Sequence, residues 1–425
     1  LQEHGYEAYA VGGCVRDSFL GREPMDWDIT TSAMPEETKA LFPHTFDTGI
    51  EHGTITVLLD HEGFEVTTYR VDGKYEDSRH PKEVIFVRNL QEDLLRRDFT
   101  INAMAYNEKE GLVDIFGGMD DLKAGIIRCV GNAQARFSED ALRILRGIRF
   151  AAQLGFELED ETREGMRLLA PTLRKISAER IQVELVKTLT SSRPDLLREA
   201  WKLGITKEFL PEFDLAMETT QETVHHMYTV GEHILHTLLE VRPDRILRLT
   251  MLLHDIGKPY MKTMDADGVA HFKGHPEKSS ELANEILHRL KFDNDTIRKV
   301  TKLVRYHDHR MPVTPAHVRR AVHEIGEDLF PLYLEVRRAD VAAQSMHQHK
   351  EKVADIDGVE KLYHEIVERK ECVSLKMLAV TGKDLIAAGM KPGKEIGQML
   401  EHFLDLVLEH PELNQKEELL KRIEL

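Results

Sequence analysis

Cysteine is scarce in this chain. Cys14, Cys129 and Cys372 are three in 425 residues, odd in number and far apart. That argues against a disulfide framework or a cysteine zinc site, and for a reducing cytoplasm. Long apolar runs are missing as well. None approaches the roughly 20 residues that span a bilayer, and no signal peptide is visible, so no membrane partner is expected. Positive charge is in deficit, with 57 Lys and Arg against 74 Asp and Glu and a net charge of −17. That argues mildly against a nucleic-acid partner, and any RNA contact must use local basic patches. Internal repeats and low-complexity segments are also lacking. With 31% charged and 41% hydrophobic residues, the chain reads as globular, with two to four domains and ample core. Leu1 reads as mid-helix, so a short preceding segment is expected.

What is present starts with "VGGCVRDSFLGREPMDWDITTSAM" (11–34). Gly12-Gly13 permits a tight turn whose backbone N–H groups face outward, a common cradle for phosphate oxygens. Arg16 and Arg22 add positive charge beside it. In extended chain Asp26 and Asp28 point to one face, because strand side chains alternate. Two carboxylates on one face are costly unless a cation sits between them, and a hard divalent ion is the usual solution. Together these residues suggest Mg²⁺-assisted phosphoryl or nucleotidyl transfer. Alone, each would read as a surface turn or a pair of solvated acids.

Strand signals fill residues 1 to about 130: "GTITVLLD" (53–60), "FEVTTYR" (64–70) and "EVIFV" (83–87), with a helix over "PEETKALF" (35–42). From 131 onward the helical period dominates. "EDALRILRGIRFAAQLGF" (139–156) reads as one helix, with Leu142, Leu145 and Ile148 on one stripe and Arg143, Arg146 and Arg149 on another. "ISAERIQVELVKTL" (176–189) starts at a Ser177 cap, with Arg180 three residues on. A histidine-rich helical region runs from about 222 to 345. "HQHKEKVADIDG" (347–358) reads as a polar connection. "VTGKDLIAAGMKPGKEIGQML" (380–400) alternates short helices with turns. The expected class is α+β, a mixed-sheet head followed by helical modules.

Glu65 lies in a strand downstream of the aspartates, and pairing beside theirs would bring a third carboxylate to the same place. "RRDFTINAM" (96–104) adds Arg97 and Asp98: an arginine fork suits phosphate, and a carboxylate accepts from a ribose hydroxyl. The order G-G-x-V-R-D…D-x-D, R-R-D-F-T-I-N-A, E-D-A-L-R…R…R-F resembles the class II tRNA nucleotidyltransferases, the CCA-adding enzymes and their bacterial poly(A) polymerase relatives. The resemblance covers the whole chain, most strongly residues 9–190. It implies a polymerase-β-like nucleotidyltransferase head (1–130), a helical neck that reads the base (131–190), a helical connection (191–221), an HD module (222–345) and a tRNA-binding C-terminal body and tail (346–425). It implies that Asp26 and Asp28, with Glu65, hold catalytic Mg²⁺, that Gly13 and Arg16 hold the triphosphate, and that Arg97 and Asp98 contact phosphate and ribose. Partners are then tRNA, CTP and ATP.

Asp140 and Arg143, three apart, share a face if the segment is one helix. A carboxylate only accepts hydrogen bonds and a guanidinium only donates. Cytosine and adenine both carry an amino donor beside a ring-nitrogen acceptor, whereas uracil and guanine carry a carbonyl and an N–H there. An Asp/Arg pair thus admits C and A and rejects U and G. The resemblance makes Glu139, Asp140 and Arg143 this amino-acid template, with Arg146 and Arg149 continuing toward the triphosphate. "RVDGKYEDSRHPKEVIF" (70–86) fills the place of a flexible loop that relatives adding only the cytidines lack. That favours full CCA addition, or A addition in a two-enzyme system, and poly(A) synthesis is disfavoured because that branch tends to carry a different, basic C-terminal part.

"HHMYTVGEHILHTLLEV" (225–241), "LLHDIGKP" (252–259), "HFKGHPEKS" (271–279), "VRYHDH" (304–309) and "VRRADVAAQ" (336–344) resemble the HD superfamily of metal phosphohydrolases. The resemblance implies His233, His254, Asp255 and Asp340 as ligands of a transition metal, with His275 and His307 completing a second position. A (p)ppGpp synthetase/hydrolase joins the same two chemistries in the opposite order and lacks the Asp/Arg element. A non-catalytic RNA-binding protein would have no need of Asp26 and Asp28.

Overall fold

A computed structural model describes residues 1–72, 84–225 and 227–423. The chain divides into two compact units, Leu1–Asp214 and Leu215–Leu425. Of the flexible loop expected at 70–86, residues 73–83 lie outside the described ones.

The first unit is built on β1 (Ala8–Val11), β2 (Asp28–Thr31), β3 (Thr45–Gly49), β4 (Thr54–Leu59), β5 (Glu62–Thr68), β6 (Arg70–Asp72), β7 (Val84–Phe86), β8 (Ala105–Asn107) and β9 (Gly111–Val113). Seven of these form one mixed sheet in the order β3-β4-β5-β2-β1-β8-β9, and β6 pairs with β7 separately. In β4 the alternation is literal: Ile55 and Val57 are buried while their neighbours are partly open. The strand pair predicted at 53–60 and 64–70 forms, but the turn sits earlier. Asp60 and His61 both take positive φ, and Leu59 pairs with Glu62. This is the two-residue hairpin whose twist matches its strands, so Gly63 lies inside β5 rather than in the turn. The start of the chain is a single 3₁₀ turn, Gln2–His4, closed by left-handed Gly5, not the middle of a long helix.

The helical part of this unit corrects a second expectation. Residues 139–156 are not one helix. A helix Ala133–Glu139 stops, Asp140 is extended (φ −138°, ψ 105°), and a new helix runs Leu142–Leu154. The cause is local: the Asp140 carboxylate accepts from the Leu142 N–H at 3.0 Å, a competition with the helix that aspartate is built for. Asp140 and Arg143 therefore do not share a helix face. Ser177 does sit at the start of helix Ala178–Leu189, but its hydroxyl makes no capping bond.

The second unit is helical apart from a short antiparallel pair, Thr263–Met264 with Ala270–His271. Helices Val230–Glu240, Arg245–Leu253, His275–Arg289, Asn294–Tyr306 and Phe330–Ala342 carry or flank the histidines. The predicted polar connection at 347–358 is mostly helix: His349–Glu368 runs through it. Ile356 and Val359, one turn apart, are buried in a core with Leu303, Phe330 and Tyr333. Val353, Leu362, Tyr363 and Ile366 of the same helix join that core, so an apolar stripe anchors one face of a charged stretch.

Candidate active site and metal centre

Around the glycine turn, Gly12 has φ 81° and ψ −129°, a conformation that side chains rarely adopt, and Gly13 opens the helix Gly13–Phe19. A Cβ on Gly12 would meet Arg97 Nη1 at 3.2 Å, and one on Gly13 would meet Arg16 Nη2 at 3.6 Å. Two guanidinium groups thus lie against the turn. Arg16 is largely buried, paired with Asp17 at 2.8 Å and donating to Asn102 Oδ1 at 2.6 Å. β2 starts at Asp28, so Asp26 lies in the bend before the strand rather than in it. β2 and β5 run parallel with Asp28 opposite Glu65, and Asp26, Asp28 and Glu65 are all exposed. Partial desolvation pushes the Asp28 carboxyl up; Arg97 pulls it down and the Asp26 charge adds to the rise. These three acids are not drawn to within 4.8 Å of one another, unlike the histidine groups below. Their donor set, carboxylate oxygens only, fits a hard divalent ion.

A cleft of about 260 Å³ is lined by Arg96, Arg97, Asp98, Asp140, Leu142, Arg143, Arg146 and Arg180. Its charges are anchored in pairs. Arg143 Nη1 lies 2.6 Å from Glu139 and also donates to the Arg136 carbonyl, while Nη2 donates to the Arg96 carbonyl at 2.9 Å. Arg180 donates to both Asp140 oxygens, at 3.3 and 2.8 Å. Asp98 Oδ1 accepts from the Phe99 N–H and from Asn102, and Oδ2 from Arg146 at 2.6 Å. Burial alone would raise the Asp98 carboxyl, but the Arg146 and Arg143 charges overcome it and hold it at about 2. Gly147 seats the arginine-bearing helix: a Cβ there would meet Met166 Cε at 2.1 Å and Phe99 Cζ at 3.0 Å.

The cleft brings together Arg97, Asp98, Asp140, Arg143 and Arg146 of the expected residues. It does not include Arg149, which turns away into a buried pair with Glu184 at 2.6 Å and stacks 3.9 Å over the Phe150 ring. Arg149 thus ties helix Leu142–Leu154 to helix Ala178–Leu189 instead of continuing the stripe. Arg96 and Arg180 are cleft residues that spacing alone did not single out. Arg96 is the first arginine of R-R-D, but Arg180 lies 40 positions from Asp140 and carried no local signal.

In the second unit the six expected ligands converge. His233 Nε2 is 2.9 Å from Asp340 and 3.5 Å from Asp255. His254 Nε2 is 3.4 Å from both His233 Nε2 and Asp255. His275 and His307 Nε2 lie 3.2 Å apart and 3.3 and 3.4 Å from Asp255 Oδ1. They form two trios, His233/His254/Asp340 and Asp255/His275/His307, each within 4.8 Å. The Nδ1 atoms of His254, His275 and His307 lie 2.7–2.8 Å from the carbonyls of Met251, Phe272 and Val304. A carbonyl only accepts, so those Nδ1 atoms carry the proton and each Nε2 presents a lone pair. Lone pairs facing at 3.2 Å fit a cation between them. Burial would raise Asp255 and Asp340, but the Lys258 charge beside Asp255 and the His233 ring hydrogen-bonded to Asp340 keep both well below the usual carboxylate range. Lys258 Nζ stands 2.7 Å from Asp255 Oδ2 and donates to Gln221 at 2.9 Å. An adjoining cavity of about 450 Å³ adds Lys273, Arg310 and Phe272 to its lining. The HD resemblance named these six residues but not Lys258, the charge partner of Asp255.

Comparison with known proteins follows the same division. Residues 8–128 match the family described as the poly A polymerase head domain, 155–217 the "Probable RNA and SrmB- binding site of polymerase A", and 223–321 the HD domain. The CCA-adding enzyme of Levilactobacillus brevis is 37% identical over 94% of this chain and 89% of its own length. That of Limosilactobacillus reuteri is 35% identical over 100% of this chain and 94% of its own. Among solved structures, the Bacillus stearothermophilus CCA-adding enzyme in complex with CTP has 29% identity and a TM-score of 0.72, covering 96% of this chain and 90% of that one. No helix among the described residues is long and apolar enough to cross a membrane. A nucleotidyltransferase head with an arginine cleft, continued by a helical body over most of the length of such relatives, makes this chain a member of the CCA-adding enzymes, the tRNA nucleotidyltransferases.

Proposed function

We propose that the chain adds C, C and A to the 3′ end of tRNA from CTP and ATP without a nucleic-acid template. The observation that carries this is the pairing in the cleft. Asp140 is an acceptor anchored from behind by Arg180, and Arg143 is a donor anchored by Glu139. Asp140 accepts from the amino group of C or A, and Arg143 donates to the ring nitrogen beside it. U and G meet acceptor against acceptor and donor against donor, and unpaired buried polar groups reject them. Arg97 and the Gly12-Gly13 turn face the triphosphate, Arg146 reaches it past Asp98, and Arg16 braces the turn.

Asp26, Asp28 and Glu65 are the residues that would hold Mg²⁺. When bound, the ions make the primer 3′ hydroxyl a better nucleophile and stabilise departing pyrophosphate. The protein's own part is positioning and charge neutralisation. Residues 1–130 then act as catalytic head, 131–190 as base reader, 191–221 as connection, 222–345 as HD module and 346–425 as tRNA grip, in a cytoplasmic protein. The test is incubation with tRNA lacking CCA and each labelled nucleotide. Ordered incorporation of C, C and A is expected. Addition of A alone would reduce the protein to an A-adding enzyme, long A tails would make it a poly(A) polymerase, and binding without addition would leave an RNA-binding protein.

A second reading has its own observation. The facing Nε2 atoms of His275 and His307 support a transition-metal phosphohydrolase in the HD module. Wild-type protein without stoichiometric transition metal and without phosphoester hydrolysis would leave that module structural.

A further inference from the structure

One carboxylate in the head is buried more completely than any group in the cleft and has had no role so far. Asp93 is 0% exposed. It lies in the helix Leu90–Leu95, started by the Asn89 side chain accepting from the Gln91 N–H. Asp93 Oδ1 accepts from Arg96 Nε at 2.9 Å and Nη2 at 2.8 Å, and more distantly from the Arg70 N–H at 3.4 Å. Oδ2 accepts from Arg97 Nη2 at 3.3 Å and from the Thr30 hydroxyl at 3.1 Å. Thr30 is itself fully buried, in β2, two residues beyond Asp28 and on the same strand.

The consequence lies in Arg97. Its Nη2 edge is held by Asp93, its Nη1 edge lies against Gly12, and its charge is felt by Asp28. Its Nε is buried without a hydrogen-bond partner. A guanidinium fixed on one side only keeps its other edge for an incoming anion. Left to itself, such a long side chain spreads over several rotamers, and ordering it at binding costs affinity. Burial opposes charge on Asp93, yet Arg96 and Arg97 keep its carboxyl below the usual range, so the anchor stays ionised. We propose that Asp93 is a positioning residue for nucleotide addition. It sets Arg97 between the glycine turn and the catalytic strand, sets Arg96 at the cleft, and registers both to β2 through Thr30. The proposal rests on the nucleotidyltransferase reading of the head.

The test is Asp93→Asn in the full chain, which keeps shape and a hydrogen-bond acceptor but removes the charge. The KM for CTP and for ATP should rise about tenfold, with kcat and the KM for tRNA unchanged, because a phosphate contact made equally in ground and transition states is weakened. A nucleotide KM within about twofold of wild type, or an equal rise in the tRNA KM, would overturn it. If Asp93→Asn does not fold, Thr30→Val, which removes the strand link to Asp93 together with a longer bond to the Thr67 carbonyl, takes its place. A two- to threefold rise in nucleotide KM alone then supports the proposal, and an unchanged KM overturns it. Equilibrium CTP binding to wild type and variant keeps this separate from the functional reading. If wild type adds no nucleotide, that reading fails, whereas Asp93 is judged by the CTP affinities.

Discussion

In the head, Asp26, Asp28 and Glu65 stand exposed and apart, while the arginines beside them are each tied to a carboxylate. In the C-terminal unit the acids are the tied groups: Asp255 and Asp340 are buried among four imidazoles and Lys258. Both regions gather opposite charges, but they prepare different parts of a reaction in advance. The head fixes its guanidinium donors in ion pairs and leaves its three acids exposed. Exposed oxygen ligands suit an ion that keeps much of its hydration. The histidine cluster preorganises the ligands themselves, each ring oriented by a backbone carbonyl, which suits a resident metal.

The largest break in this comparison should come from Asp28→Ala. Nucleotide addition should fall about a thousandfold or more, with tRNA binding retained and the metal content of the histidine cluster unchanged. Assay with Mg²⁺ and metal analysis of the same sample check it, and near-normal turnover would remove Asp28 from the site. Next, His254→Ala should lower transition-metal affinity at least about a hundredfold while C and A addition stays near wild type. A parallel loss of both would mean that the two regions do not act separately.

Acid should sharpen the contrast within the head. The Asp98 carboxyl is held at about 2 against an ordinary 3.8. A carboxyl lowered by folding stabilises the native state above its unfolded value, and that contribution is lost as pH falls through the folded one. Asp98 should contribute about 2 kcal/mol above pH 4 and lose it toward pH 2. Asp98→Asn should show a correspondingly shallower decline in denaturant midpoint over that window. The smallest effect is expected from Arg180→Ala, which frees the Asp140 carboxylate without deleting it. Preference for ATP over GTP on tRNA ending in CC should fall about tenfold, and Asp140→Ala should lower it further. Wild-type preference in both would place the base reader elsewhere.

Much of this was legible from local spacing. Alternation located β4 and β5, and the six residues that the HD resemblance named converge in two trios that could hold a metal ion. The failures are equally local in origin. Asp140 broke a helix that periodicity drew straight through it, because its side chain competes for the Leu142 N–H. Residues 347–358 looked like a linker because charge dominates the segment, although Val353 and Ile356 begin an apolar stripe that Val359, Leu362 and Ile366 continue.

The sequence by itself determined which chemistries are present: a glycine turn, paired acids, arginines at helical spacing and imidazoles in a fixed order. Those follow from residue type and from the two periods of regular structure. Only the tertiary structure decided which charges meet. It gave Asp140 to Arg180 rather than Arg143, and turned Arg149 toward Glu184 and away from the cleft. Partner choice among long charged side chains depends on which backbones pack together. A separation of 40 residues along the chain carries no periodic signal for it.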